Sequence, residues 1–210
     1  MEREQPVGDR TTGTATSTEI AVRSASGQAD AAFIQSVYRP WVERTAASFE
    51  EVTPSVEDIL ARMEARPRLP WLIVEVDREA AGYAHASRHA PRTAYRWSAD
   101  VSVYLKAEHR GRGLGRVLYE RLIPEVRALG YVSLFAGITQ PNPASVALHT
   151  ALGFQLIGIH PNTGHKFGRW HDVGWYIQSP PNPPQSPVEP RDWASTIRTD
   201  VPIASSHDVS

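Results

Sequence analysis

Between residues 100 and 115 the pattern of hydrophobic and polar positions changes period within one short stretch. Val101, Val103 and Leu105 alternate with Ser102 and Tyr104, which predicts a strand. A charged turn at 106–109 leads into Arg110-Gly-Arg-Gly-Leu-Gly115, after which Leu114, Leu118, Leu122, Val126 and Leu129 recur at helical spacing. A strand, a glycine-rich turn and a helix start in succession gather free backbone N–H groups at the positive end of a helix dipole. That arrangement favours a phosphate, and the glycines let a bulky anion approach the main chain without a Cβ in the way.

The rest of the chain follows the same two periods. Residues 19–23 alternate weakly and predict a first strand. From Gly27, the spacing of Ala31, Ile34, Val37, Tyr38 and Trp41 predicts a helix that Pro40 ends or bends. Residues 43–54 lack a period, and Phe49 is their one large apolar side chain. They read as a loop anchored by a buried aromatic or as a loop lining a substrate pocket. Ser55 is an N-cap with Asp58 as its capping-box partner and Ile59, Leu60 and Met63 as the packing face.

Residues 71–76 are nearly all apolar and predict a buried strand, with 77–79 as a turn and 81–87 as its hairpin partner. His85 and His89 read as packed or solvated histidines, because their spacing makes no metal site without a third ligand. Residues 88–97 form a basic, aromatic connection, either a solvated loop or a pocket rim with Arg92 and Tyr95 as donors. Pro124 predicts a kink in the helix after Gly115, and Gly130 its C-cap. Residues 131–139 predict another buried strand, Asn142 and Pro143 the start of the next helix, and 154–163 with 165–178 a hairpin turning at 162–164.

The element order is therefore β-α-α-β-β-β-α-β-α-β-β, an α/β fold with a mixed central sheet and helices on its faces. One domain over 18–178 is expected, between a disordered leader at 1–17 and a Pro-rich disordered tail at 179–210. The tail holds seven of the seventeen prolines, a density that forbids helix and sheet. The formal charge of −1 gives no broad reason to expect nucleic acid or an anionic membrane. No apolar run approaches membrane length and no secretory signal is visible, so the default is cytoplasmic. The absence of cysteine excludes disulfides, thiolate metal sites and a cysteine acyl-enzyme. A transferase would then pass its group directly to the acceptor.

The spacing Arg110-x-x-Gly113-x-Gly115 is not the nucleotide P-loop, since no Gly-Lys-Ser/Thr follows. Nor is it the dinucleotide fingerprint, since Arg116 stands where a third glycine belongs. This turn resembles the coenzyme A pyrophosphate loop of GCN5-related N-acetyltransferases, the GNAT family. The segments WVERTAASFEE, RTAYRWSADVSVYL, HRGRGLG, QPNPASVALHTALGF and GHKFGRWHDVGWY extend the likeness over residues 19–178. More narrowly, they resemble the phosphinothricin N-acetyltransferase subgroup, which includes enzymes acting on methionine sulfoximine and sulfone.

The resemblance implies a GNAT fold, acetyl-CoA as co-substrate without a metal, a small amine acceptor and a homodimer. Val103, Tyr104 and Leu105 would meet the acetyl and pantetheine portion, with Val103 and Leu105 offering backbone groups. The backbone of Arg110, Gly111, Arg112, Gly113, Leu114 and Gly115 would hold the pyrophosphate, and Asn142 and Ser145 the distal pantetheine arm. Asp100 stands where the subgroup has a glutamate proposed as general base, and His149 where most of the superfamily has a tyrosine proposed as general acid. Phe49, Arg92 and Tyr95 match acceptor-side positions, and His85 is placed with them. Ala90 replaces a lysine that some members carry. Aspartate is one methylene shorter than glutamate, so a relayed proton is expected. Two alternatives remain open: a catalytically weak acyl-CoA-binding or sensing module, and transfer to peptides, which a closed pocket disfavours. Trp170, His171 and Asp172 are expected to pack rather than react.

Overall fold

The computed structural model describes residues 18–193; the leader at 1–17 and the end of the tail at 194–210 lie outside them. The chain runs β1 (Ile20–Ser24), α1 (Gly27–Arg44), α2 (Val56–Glu64), β2 (Trp71–Val76), β3 (Glu79–Arg88), β4 (Ser98–Leu105), α3 (Leu114–Ala128), β5 (Ser133–Thr139), α4 (Pro143–Ala151), β6 (Gln155–Lys166) and β7 (Arg169–Gln178). This is the order expected from periodicity. Two single 3₁₀ turns, Thr93–Tyr95 and Ala107–His109, flank β4.

The strands form one mixed sheet in the order β1-β2-β3-β4-β5-β7-β6. Every neighbouring pair is antiparallel except β4 and β5, which are parallel. One face packs on α3, with Leu114, Leu118, Tyr119, Leu122 and Val126 buried against Leu72, Val74, Ala84, Val101, Leu134 and Ile138. The other packs on α1 and α2, with Ile34, Val37, Tyr38, Ile59 and Met63 against Trp71, Ile73 and Tyr83. Helices thus cover both faces, as the mixed pattern requires.

Local chemistry explains the boundaries. Ser55 accepts from the Asp58 amide while Asp58 accepts from the Ser55 amide, closing the capping box of α2. Asn142 caps α4 by accepting from Ser145 N, with Pro143 in the first turn. Asp30, in the first turn of α1, receives the Ser26 amide and both terminal nitrogens of Arg23. Together these hold its carboxyl below the ordinary value despite burial. Pro40 and Pro124 both lie inside helices that run on past them, so packing of the apolar stripes overrides the breaker there.

Two expectations are corrected. The β6–β7 hairpin turns at Phe167 and Gly168, both with positive φ, rather than at 162–164. Asn162, also at positive φ, belongs to an irregularity between His160 and Gly164 inside β6. The alternation on either side of this extra chain looks like two strands in the sequence.

The second correction concerns the tail. Residues 179–193 form neither helix nor strand of any length, yet they bond back onto the domain. Trp97 Nε1 donates to Val188 O at 2.8 Å, Arg191 N to Leu129 O at 2.8 Å, and Trp193 N to Arg68 O at 3.0 Å. Arg96 meets Glu189, and Arg66 meets Asp192. Trp193 packs on the α3-side core. Proline density rules out a ladder, but not a strap held by its ends and by side chains.

Candidate active site

The sheet is built to part at its centre. β4 and β5 hydrogen-bond only through Ser98, Ala99 and Asp100 against Ser133, Leu134 and Phe135. Beyond that the two strands no longer pair with each other, though each stays paired on its far side, and they line a cavity of about 330 Å³, Val101–Leu105 on one side and residues 136–139 on the other. Asp100 stands at the apex of this splay.

The cavity runs to the start of α3. Arg110, Gly111, Gly113, Leu114 and Gly115 line it, as do Asn142, Ser145, Leu148 and His149 from the start and body of α4. Gly111 and Gly113 have φ of 73° and 77°, and a Cβ added at either would meet nothing within 4 Å. The turn is therefore open space faced by main chain, with the amides of the first turn of α3 behind it. Gly115 is bare for another reason: a Cβ there would stand 3.1 Å from Leu148 Cδ2, so its absence lets α3 and α4 approach. This cradle fits a diphosphate, and the apolar channel beside β4 fits an extended thioester arm.

Arg110 lies over the Trp41 ring at 4.1 Å from its centroid, so its charge is held at the cavity wall by stacking. Arg112 does not line the cavity. Its side chain is exposed and meets His109 Nδ1 at 3.1 Å, leaving its backbone as the part within reach of the turn. The Tyr104 ring packs against Tyr38 and Tyr83, with centroids 4.9 and 5.4 Å away. Burial raises its phenol far above the ordinary value, so it stays neutral.

His149 is buried. Its Nδ1 lies 2.7 Å from Ser145 O, so Nδ1 carries the proton and donates. Nε2 then accepts from Tyr119 Oη at 3.2 Å. Burial lowers its pKa, so the ring is neutral near pH 7 with both nitrogens engaged. Tyr119 also lines the cavity. Any proton passing from this pair toward the cavity leaves from the tyrosine hydroxyl, with His149 behind it.

The expected acceptor-side residues divide. Tyr95 and Arg92 are exposed on the turn before β4. Phe49, half-exposed, is pinned over β6: a Cβ on Gly164 would lie 2.3 Å from its ring. The loop that carries it is tied down by Lys166, whose buried ammonium donates to Val42 O and Ser48 O at 2.6 and 2.7 Å, and by Thr139 Oγ1 donating to Ala46 O. Burial lowers the Lys166 pKa. Lys166→Met should lose about 2 kcal/mol in a urea melt, because two carbonyls lose their donor.

His85 does not line the cavity. It stacks on Trp71 with centroids 4.0 Å apart, and burial lowers its pKa to about 4. The unfolded chain protonates such a ring near pH 6.5. Between those two values unfolding takes up a proton that the folded state refuses, so stability is full above pH 6.5 and falls on acidification. His149 acts in the same direction. Between pH 7 and pH 5 the protein should lose on the order of 2 kcal/mol of stability through His85 in pH-dependent melts, a loss that His85→Gln should remove.

Three side chains here escaped the sequence reading. Trp41 and Tyr119 are hidden in helical apolar stripes, where an aromatic reads as core. His89 reads as a packed or solvated histidine, with nothing in the sequence to pair it with Asp100, yet its Nδ1 lies 2.7 Å from Asp100 Oδ1. Burial raises the Asp100 carboxyl above its ordinary value, and the His89 bond offsets part of that.

An amide cradle joined to a parted sheet defines a binder of a phosphate-bearing acyl carrier. Comparison with known proteins gives the class its family. Residues 23–175 match the acetyltransferase (GNAT) domain model. The chain is 34% identical over 170 residues to a phosphinothricin N-acetyltransferase of Streptomyces viridochromogenes, covering 78% of this chain and 92% of that one. It is 39% identical over 148 residues to an L-methionine sulfoximine/L-methionine sulfone acetyltransferase of Salmonella typhimurium, covering 70% and 86%. The structure of a phosphinothricin acetyltransferase from Sinorhizobium meliloti in complex with AcCoA superposes with a TM-score of 0.73 at 36% identity, covering 77% of this chain and 88% of that one. The chain belongs to the GNAT acetyltransferase family, and acetyl-CoA is its acyl donor.

Proposed function

We propose that this enzyme transfers the acetyl group of acetyl-CoA directly to the primary amine of a small amino-acid-like acceptor of the phosphinothricin or methionine sulfoximine type. The observation that carries the proposal is the splay itself. It puts Asp100 at the last β4–β5 pair, next to the Val101–Leu105 wall of the cavity, and Asp100 meets His89, whose ring lies among Tyr95, Phe135 and Trp175. The relatives' acceptors support the same class.

In this reading the turn from Arg110 to Gly115 holds the diphosphate, and Asn142 and Ser145 hold the arm. The unpaired main chain of Val103 and Leu105 binds the acyl end, where an N–H polarises the thioester carbonyl and stabilises the oxyanion. Asp100 receives the acceptor's proton, directly or through a relay. His149 fixes the hydroxyl of Tyr119. Arg92 and Tyr95 contact the acceptor's anionic end, and Phe49 walls the pocket.

A second copy would cover the outer edge of β6, where Leu156, Ile157 and Ile159 are exposed together with Phe167 and Trp170, an unprotected apolar edge strand. A sedimentation coefficient of a single copy at micromolar concentration would remove this part. Among the described residues no helix is long and apolar enough to cross a membrane, and we keep a cytoplasmic setting as part of the proposal.

The test is thiol release from acetyl-CoA across a panel of acceptors: phosphinothricin, methionine sulfoximine, methionine sulfone, the common amino acids and short peptides. Release with a free amino-acid analogue is expected. Release with peptides alone, or tight acetyl-CoA binding with no turnover on any amine, would replace this reading with one of the two alternatives.

A further inference from the structure

His89 follows the inner part of β3, and Asp100 opens the splay on β4. Their side chains meet at 2.7 Å and are partly exposed, 21% and 29%. The imidazole is held flat on Phe135, centroids 4.1 Å apart with 14° between planes, and edge-on to Tyr95 and Trp175 at 6.1 and 5.8 Å. This is a ring clamped on three sides by β5, β7 and the turn before β4. A solvated surface histidine has no such cage. Among the described residues Nε2 has no hydrogen-bond partner. The other ionisable groups around it are few. Tyr95 faces its edge, His160 lies beyond Trp175, and Arg88 is turned away to donate to Pro91 O.

Asp100 is an acceptor only, so the bond at 2.7 Å puts the ring proton on Nδ1. Nε2 is then a bare lone pair next to the place where β4 leaves β5. A carboxylate already engaged on one oxygen, on a side chain a methylene shorter than glutamate, is poorly placed to take a proton itself. The ring extends its reach by the width of an imidazole.

We infer that His89 is a catalytic residue: its Nε2 takes the proton from the acceptor's ammonium, and Asp100 fixes the tautomer and balances the imidazolium that results. This rests on the acetyl transfer proposed above. One ammonium proton moves to Nε2. The freed amine bonds to the thioester carbon, and the C–S bond breaks as the tetrahedral intermediate collapses. The second nitrogen proton goes to the sulfur, giving the amide and free CoA. The imidazolium afterwards returns its proton to water.

The experiment uses the full chain and an acceptor from the panel above. His89→Ala should lower kcat about 10²-fold or more. Calorimetric affinity for acetyl-CoA and the unfolding midpoint should stay near wild type. Added imidazole should restore turnover, more strongly with more basic imidazoles, because the vacated cage still offers Asp100. A kcat within threefold of wild type, or a loss that no imidazole restores, overturns the assignment. A second readout is independent of turnover: long-range ¹H–¹⁵N spectra of His89 should give the Nδ1–H tautomer in wild type and its loss in Asp100→Asn. The Nε2–H tautomer in wild type also overturns it. Wild-type protein that binds no acetyl-CoA would instead sink the parent proposal, so the two failures are separable.

Discussion

Asp100→Asn should cost roughly 10²–10⁴-fold in kcat while leaving acetyl-CoA binding unchanged. The amide is isosteric, so the β4 pairing with Ser87 and Phe135 survives. What changes is charge. The carboxylate that bonds His89 Nδ1 becomes a neutral group able to present its NH₂ to the ring, which favours the wrong tautomer. Steady-state kinetics with calorimetry on the same preparation checks both halves. A kcat near wild type would mean that the apex carboxylate only holds the strand end. The base would then have to be sought elsewhere on the acceptor face.

Gly82→Val is expected to be the most damaging single change in the sheet. A Cβ at this position would lie 2.4 Å from Leu105 Cδ2 and 2.6 Å from Tyr104 O. The second of these is backbone, so relief requires β3 and β4 to separate where they pair Gly82 with Leu105. Overpacking of this kind costs about 1–3 kcal/mol or more. It also shifts Leu105, which lines the cavity, so acetyl-CoA affinity should fall at least about tenfold with stability. Gly158→Ala is the control, because a Cβ there meets nothing within 4 Å. Urea melts of the two variants should differ by most of the predicted cost. Equal melts would mean that the strand pair is looser than its register implies.

The fold was legible wherever one period persisted over a whole element. The apolar stripe of α3, the unbroken run of β2 and the caps at Ser55 and Asn142 each carry their own local signal. Legibility failed where tertiary contacts decide. The irregularity inside β6 mimics a turn because Asn-Thr-Gly suits both. The strap at 179–193 is held by distant partners such as Leu129 and Arg68, which no local pattern announces.

The site divides in the same way. The glycine turn is readable because its chemistry depends on sequence-local spacing, whereas Asp100 is singled out only by its match to the position of the subgroup's glutamate. The His89–Asp100 pair is not readable, since it forms only when β3 and β4 lie side by side. The bond between Tyr119 and His149 likewise forms only where α3 meets α4, and the packing of His85, one of the two readings its sequence position allowed, is settled by the cross-strand stack on Trp71.

Only three residue pairs stitch β4 to β5, so the sheet is two leaves, β1–β4 and β5–β7, sharing a narrow margin. Anything lodged in the gap touches both leaves at once and resists their opening. The donor thereby becomes a temporary rivet: binding it should stiffen the whole molecule, and the surface offered to the second substrate becomes fully firm only after the first is seated.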